Sequence, residues 1–142
     1  MNKATVDKAV TRFALSAKSR AELSGVHPDL VRVVKRALQL TPFDFGIISG
    51  VRTAHEQNTL FNKGASQLDG YARKSRHQTG HAIDFVVYDE SNEVTWRFSY
   101  YEQVSWAFKQ ASLELGVPII WGGDWTSLKD GPHVELDRRH YP

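Results

Sequence analysis

A single carboxylate inside an apolar run limits how this chain can fold. The segment AIDFVVY places Asp84 between Ile83 and Phe85. Successive side chains of a β-strand point to opposite faces, so a strand here turns Asp84 away from the core that Ile83 and Phe85 would enter. An isolated buried charge is very costly, so Asp84 needs a partner. The sequence therefore predicts a strand whose Asp84 either forms a salt bridge with an arginine or binds a cation.

A second short segment, PHVEL, has the same property. As a strand it places His133 and Glu135 on one face and two apolar residues on the other. His77 precedes the first strand, in SRHQTGHAIDF. Two imidazoles and one carboxylate are a common ligand set for catalytic zinc, which keeps a fourth position for water. His77, Asp84 and His133 are therefore three candidate metal ligands, although each residue alone is more often structural.

His81 raises the question of a different ligand pair. It follows His77 by four residues, the spacing of a helical HxxxH pair. Gly80 between the two histidines and the strand that follows argue against a helix there, so His81 is not predicted to be a ligand. The chain contains no cysteine, which excludes disulfides, thiolate metal sites and cysteine nucleophiles.

Helical periodicity accounts for much of the remaining chain. Apolar residues from Leu30 to Leu38 recur on one face, and Pro28 suits the first turn of that helix. A second helix should begin at Thr53, because Thr53 and Glu56 have the spacing of a capping box. A third should cover YYEQVSWAFKQASLEL and end at Gly116.

The other segments complete the predicted fold. DFGIISG and VPIIW are short strand candidates, while 64–76 and 89–98 are interpreted as connections. The first 26 residues are weakly patterned, with a possible short helix through Val6, Val10 and Phe13–Leu15. We predict an α+β fold, a single domain over residues 1–142, whose small, mostly antiparallel sheet carries the metal site and packs against helices.

Bulk composition restricts the partners. The net charge of +2 is typical of a solvated surface, and no arginine-rich arm or nucleic-acid motif is present. No apolar run approaches the ~20 residues of a membrane helix. The N-terminal segment lacks the apolar region of a secretory signal. We therefore expect no nucleic-acid partner, no stable membrane insertion and synthesis in the cytoplasm.

Two further residues are suited to hydrolytic chemistry. Asp130 lies three residues before His133, and its carboxylate could accept a proton from an activated water; Lys-Asp-Gly is also ordinary turn chemistry. Arg52, between a strand and a capped helix, could polarise a carbonyl or bind a substrate carboxylate. Its alternative is a surface ion pair.

These motifs resemble those of one peptidase family. SRHQTGHAID and DGPHVEL, with GVHPDLVRVVKRAL, SGVRT and LGVPIIWGGDW in the same order, are similar to the zinc D-Ala-D-Ala peptidases of bacterial cell walls. The closer resemblance is to the phage and prophage endolysins of that family, the L-alanyl-D-glutamate peptidases, and it spans nearly the whole chain. Asp at position 130, where the D-Ala-D-Ala branch usually has Glu, agrees with the endolysin branch.

The resemblance implies a role for each matched residue. It implies that His77, Asp84 and His133 bind Zn²⁺, that Asp130 is the general base and that Arg52 lies beside the substrate carbonyl. Ser75 is expected near the substrate or directly behind the metal ligands. Trp125 is a candidate wall of the substrate cleft, with core packing as the alternative. Glu135 could orient a ligand histidine or replace Asp130 as the base.

The implied activity is hydrolysis of the L-alanyl-D-glutamate bond of peptidoglycan stem peptides, during phage lysis or wall turnover. The alternatives are a D,D-carboxypeptidase or dipeptidase with the same metal site and a non-catalytic zinc-containing binding module. The enzyme is expected to be a monomer that is made in the host bacterial cytoplasm. It would reach the periplasmic murein with the help of a holin-like membrane-permeabilising protein.

Overall fold

The described part of the protein consists of one antiparallel sheet and the helices that pack against it. The computed structural model describes residues 13–142. The α-helices in this range are Ala17–Glu22 (α1), Pro28–Leu40 (α2), Ala54–Asn62 (α3) and Phe98–Leu115 (α4). The strands are Phe45–Ser49 (β1), Ala82–Tyr88 (β2), Val94–Thr95 (β3), Ile119–Trp121 (β4) and His133–Leu136 (β5). Two short 3₁₀ helices cover Arg76–Thr79 (η1) and Gly122–Asp124 (η2).

The strand order brings the two segments with predicted ligands together. The sheet runs β1-β2-β5-β4, and β3 pairs with the far end of β2. All pairs are antiparallel, and Asp84 lies directly opposite His133 between β2 and β5. The predicted α+β class and the mostly antiparallel sheet are therefore confirmed.

The core lies on one face of this sheet. Phe85 packs against Phe45 and Phe108, with ring centroids 5.9 and 5.0 Å away, which joins β1, β2 and α4. Burying each such side chain contributes roughly 1.5–3 kcal/mol. Ile83 and Val134 enter the same core. The strand alternation predicted from the sequence is thus present, and the opposite face of β2 and β5 remains available for polar groups.

The capping residues in the sequence predicted these helix ends correctly. Pro28 is the first residue of α2, and the capping box of α3 is present, with Thr53 and Glu56 each accepting a hydrogen bond from the other's backbone N–H. Gly116 ends α4 with a φ of +67°, a conformation that glycine adopts without strain. No helix in the described range combines the length and the apolar character needed to cross a membrane.

Two features differ from the sequence interpretation. The segment 89–98 is not only a connection, because β3 lies within it. The possible N-terminal helix is wrong for Phe13–Leu15, which are not helical, and the first described helix begins at Ala17. Val6 and Val10 lie outside the described residues.

Candidate metal centre and substrate cleft

The three predicted ligands meet at one point. One ligand atom from each of His77, Asp84 and His133 can be chosen so that all lie within 4.8 Å of one another. Asp84 and His133 come together through the β2–β5 register. His77 arrives from η1, which Ser75 caps by accepting a hydrogen bond from the His77 backbone N–H at 3.2 Å. Both histidines are buried.

Gly80 allows η1 to connect so closely to β2. Its φ is +74°, and a Cβ at this position would lie 2.7 Å from the carbonyl oxygen of Gly25. A side chain here would be strained in its backbone conformation and would also collide with backbone. The glycine in the SRHQTGHAIDF motif therefore lets His77 lie beside the strand that carries Asp84.

The neighbours of the two imidazoles fix their tautomers. His77 Nδ1 lies 2.9 Å from the carbonyl oxygen of Gly50, which can only accept a hydrogen bond, so this nitrogen carries the proton. His133 Nε2 donates in the same way to Glu135 Oε1 at 2.9 Å. The other nitrogens, His77 Nε2 and His133 Nδ1, lie 3.4 and 3.3 Å from Asp84 Oδ1. Once these two nitrogens are deprotonated, their lone pairs and a carboxylate oxygen converge, as binding of a divalent cation requires.

The electrostatics of these residues agree with this arrangement. Burial opposes ionisation of Asp84, but hydrogen bonds from His133 and His77 outweigh it and hold the Asp84 pKa well below its usual range. Burial also opposes a charge on His133, yet hydrogen bonds to Asp84 and Glu135 raise its pKa to about 9. The carboxylates thus attract positive charge to this point, and a cation can replace the proton on His133. The donor set fits a divalent metal.

Arg52 forms an ion pair with Asp84, one of the three predicted metal ligands. Its Nη2 lies 2.7 Å from Asp84 Oδ2, its Nε donates to Ser49 Oγ at 3.1 Å and its Nη1 donates to Gln57 Oε1 at 3.1 Å. The ion pair considered as the structural alternative for both Asp84 and Arg52 is therefore present. It leaves Asp84 Oδ1 directed at the two imidazoles, so the pairing and the predicted metal ligation are compatible.

Gln57 links this pair to the wall of the cleft. Its side chain is fully buried, and its Nε2 donates to Ser66 Oγ and to the Leu68 carbonyl oxygen, both at 2.9 Å. The Gln57 amide thus uses its oxygen to accept from Arg52 and its nitrogen to donate to the loop that contains Ser66 and Leu68. No pattern in the sequence predicts this role of Gln57.

Asp130 lies in the cleft beside these groups. Burial, together with the negative charge of Asp84, raises its pKa, while His133, His77 and Arg52 oppose the shift. Across residues 13–142, no donor is hydrogen-bonded to the Asp130 carboxylate, so it is free to accept a proton.

The loop that carries Asp130 is tied to η2. Asp130 N donates to the Gly122 carbonyl oxygen at 3.0 Å, and His133 N donates to the Asp130 carbonyl oxygen at 3.2 Å. A turn role for Asp130, the alternative to a chemical one, is therefore also present in its backbone.

The cleft around the site has a volume of about 730 Å³. Ser75 and Trp125 both line it, and the Trp125 ring lies 5.2 Å from that of His133. The Ser75 hydroxyl is already used in capping η1. Trp125 is therefore a cleft wall, whereas contact of either residue with a substrate stays a prediction.

His81 does not join the cluster of ligand atoms. Its Nδ1 pairs with Thr79 Oγ1 at 2.7 Å, and its ring lies 5.8 Å from that of His27. The expectation that it is no ligand therefore agrees with its position.

Comparison with known proteins identifies the family. The family model of the phage L-alanyl-D-glutamate peptidases matches residues 11–141, nearly the full chain. The chain belongs to the phage L-alanyl-D-glutamate peptidase family. The resemblance predicted from the sequence motifs is thereby confirmed.

Relatives of this peptidase family are similar over most of the chain. The L-alanyl-D-glutamate peptidase of Escherichia phage T5 is 37% identical over 130 residues, which cover 91% of this chain and 93% of that protein. The crystal structure of the L-Ala D-Glu endopeptidase ChiX of Serratia marcescens has a TM-score of 0.81 and 41% identity, and the match covers 91% of this chain and 94% of ChiX.

A second solved structure shares the fold alone. The vancomycin resistance D,D-dipeptidase VanXYg has a TM-score of 0.51 and 14% identity, over 78% of this chain and 50% of that chain. The sequence identity of this chain to VanXYg is therefore lower than its identity to the phage T5 peptidase and to ChiX.

Proposed function

We propose that this protein is a zinc-dependent endopeptidase that hydrolyses the L-alanyl-D-glutamate bond of peptidoglycan stem peptides. The observation that carries the proposal is the convergence of His77, Asp84 and His133 within 4.8 Å, beside Asp130 in an open cleft. Membership of the peptidase family supports the reaction and its substrate.

His77 Nε2, His133 Nδ1 and Asp84 Oδ1 would hold the metal. When bound, Zn²⁺ supplies Lewis-acid chemistry, because it lowers the pKa of water from 15.7 to about 7 and polarises a carbonyl oxygen. Two histidines and one carboxylate also accept other divalent ions. Zinc is our choice because this ligand number and type are those of catalytic zinc sites.

Asp130 serves as the general base. Its carboxylate has no competing hydrogen-bond donor among the described residues, and it lies near Asp84 and both histidines. It accepts a proton from the attacking water and returns it to the amine that leaves when the amide bond breaks. A raised pKa favours this return, because the protonated form is then easier to reach.

Arg52 fixes one oxygen of Asp84 and keeps its positive charge in the cleft. Its Nη2 contact with Asp84 Oδ2 at 2.7 Å orients the other oxygen toward the imidazoles. The same guanidinium can stabilise negative charge that develops on the scissile carbonyl oxygen. Ser75 and Trp125 bound the space in which the peptide would lie.

The expected setting follows from this activity. We propose that the enzyme acts as a monomer on periplasmic murein after synthesis in the host cytoplasm, as part of phage lysis or wall turnover. It would depend on a holin-like protein to cross the membrane.

Digestion of purified murein, with metal analysis of the same preparation, tests the proposal. We expect new L-Ala carboxyl and D-Glu amino termini. Release of D-Ala without these termini would instead indicate a D,D-carboxypeptidase. A bound metal with no cleavage of any kind would indicate a non-catalytic binding module.

Variants separate the roles of the residues. Asp130→Asn should keep the metal and lose activity by about 10²–10⁴-fold, whereas His133→Ala should lose the metal as well. His81→Ala is the matched control, since His81 belongs to the same motif but lies outside the cluster, and it should keep both. Undiminished lysis by Asp130→Asn would remove Asp130 from the base role.

A further inference from the structure

Two loops bring positive charge to the cleft from different parts of the sheet. Arg73 lies in the loop that follows α3, and α3 itself follows the edge strand β1. The connection from β4 to β5 contributes Lys129. Arg52, the third cation of the cleft, is already paired with Asp84. Among the lysine and arginine side chains that line the cleft in residues 13–142, Arg73 and Lys129 are therefore those whose charge is available to a ligand.

Hydrogen bonds fix the backbone of Arg73, whereas its guanidinium has no acidic partner among the described residues. Its backbone N–H donates to Asp69 Oδ1 at 2.9 Å, and its carbonyl oxygen accepts from Gly70 N at 3.0 Å. Asn58 from α3 donates to the Asp69 carbonyl oxygen at 2.9 Å. Within residues 13–142, no carboxylate forms an ion pair with the Arg73 guanidinium. A positioned loop thus presents an uncompensated cation to the cleft.

Lys129 is less suited to bind an anion at the reacting bond. Its Nζ lies 5.8 Å from the centroid of the Phe98 ring, so an aromatic face already contacts its charge. It also immediately precedes Asp130, whose ionised carboxylate would repel a second anion. Of the two free cations, Arg73 alone is carried by a different loop from the proposed base.

The chemistry of a D-glutamyl substrate supplies the matching anion. This step rests on the proposed function. Glutamate has one amine and two carboxyls: the amine is in the scissile bond, one carboxyl continues the peptide, and the other remains free. A negative charge therefore lies a few bonds from the reacting nitrogen, in a cleft that already contains the carboxylates of Asp84 and Asp130. Binding of this free carboxylate therefore calls for a cation that lies away from Asp130.

We propose that Arg73 binds the free carboxylate of the D-glutamyl residue and thereby makes the enzyme prefer D-glutamyl over D-isoglutaminyl peptides. A guanidinium binds a carboxylate through charge-assisted, often bidentate hydrogen bonds. The neutral carboxamide offers one acceptor and no charge, so the preference should be about ten- to 100-fold in kcat/KM.

A pair of synthetic peptides tests this. Both are acetyl-L-Ala-D-Glu-L-Lys joined through the side-chain carboxyl of D-Glu; in one the remaining carboxyl is free, and in the other it is a carboxamide. The metal-loaded full-length protein should prefer the free carboxylate. Arg73→Gln should bring the preference close to one, mainly by raising KM for the carboxylate peptide, and Arg73→Lys should restore part of it. Lys129→Gln, which removes the other free cation, should keep the preference.

The outcomes distinguish this inference from the proposed function. Cleavage of both peptides by the wild-type protein at equal kcat/KM would overturn the role of Arg73 and leave the endopeptidase intact. An equal loss on both peptides in Arg73→Gln would also overturn it, because that pattern indicates a structural effect. Failure to cleave either peptide or murein would overturn the endopeptidase itself and this inference with it. Arg73 is exposed, so Arg73→Gln is expected to fold, and its melting temperature checks this.

Discussion

Gly122 should be essential for activity although it carries no functional group. A Cβ at this position would lie closer to the Asp130 carbonyl oxygen than any van der Waals contact allows, and 3.1 Å from the Cβ atoms of both Asp130 and His133. The Asp130 N–H also donates to the Gly122 carbonyl oxygen at 3.0 Å. The obstructing atoms belong to backbone and to the base of side chains, so no flexible group can move aside.

The structure sets the size of the effect of Gly122→Ala. Relief of the collision requires the segment with Asp130 and His133 to move by an amount on the order of 1 Å, and a misplacement of that size costs about 100-fold in rate. Forcing a methyl group into a packed site also destabilises a protein by about 1–3 kcal/mol. We therefore expect kcat/KM to fall about 100-fold, with a moderate loss of stability.

Gly131→Ala is the matched control. Gly131 also adjoins Asp130, but the three atoms nearest to a Cβ there all belong to the side chain of Tyr101, the first at 3.3 Å. Murein digestion rates, melting temperatures and metal content of the two variants should be measured together. If Gly122→Ala digests murein as fast as Gly131→Ala while both stay folded and metal-loaded, the position of the Asp130 segment does not control the reaction.

Three further variants probe groups around the site and the core. Glu135→Ala should weaken metal binding about 10- to 100-fold, because it removes the acceptor of the His133 Nε2–H hydrogen bond that fixes the His133 tautomer; competition with a chromophoric chelator measures this. Gln57→Leu should lower the free energy of unfolding by roughly 1–3 kcal/mol, since it removes the buried acceptor of Arg52; denaturant titration measures this. Burial raises the pKa of Asp44 above 3.8, so the folded state keeps a proton that the unfolded state releases, and stability falls as pH rises through this range. Asp44→Asn should therefore have the higher melting temperature at neutral pH, and the difference should vanish well below pH 3.8.

Each of these expectations can fail separately. An unchanged metal affinity in Glu135→Ala would show that the His133 tautomer does not depend on Glu135. An undiminished unfolding free energy in Gln57→Leu would show that Arg52 finds another acceptor. A melting-temperature difference for Asp44→Asn that does not change with pH would exclude the titration of Asp44 as its cause.

The sequence predicted those parts of the site that depend on local geometry. The direction of a side chain from a strand is a local property, so alternation alone turned Asp84 and His133 away from the core, as the structure shows. Helix caps are also local, which explains the success at Thr53 and Gly116.

Contacts between distant segments could not be predicted in the same way. Gln57 matters because of its bonds to Ser66 and Leu68, and Gly122 because Asp130 folds back against it. Neither contact leaves a pattern in the sequence. Strand β3 has only two residues, too few for an alternation to be recognised. The extent of the domain, the identity of the metal and the roles of Ser75 and Trp125 stay predictions.

The direct pairing of Asp84 with His133 between β2 and β5 has a consequence for folding. A slip of one residue in either strand would turn its ligand toward the core, since side chains alternate. The metal can therefore bind tightly only to molecules in which two strands, 49 residues apart in the chain, have found their correct register. Metal uptake during refolding should accordingly report when the centre of the sheet is complete, and an excess of metal should shift the population toward the correctly paired sheet.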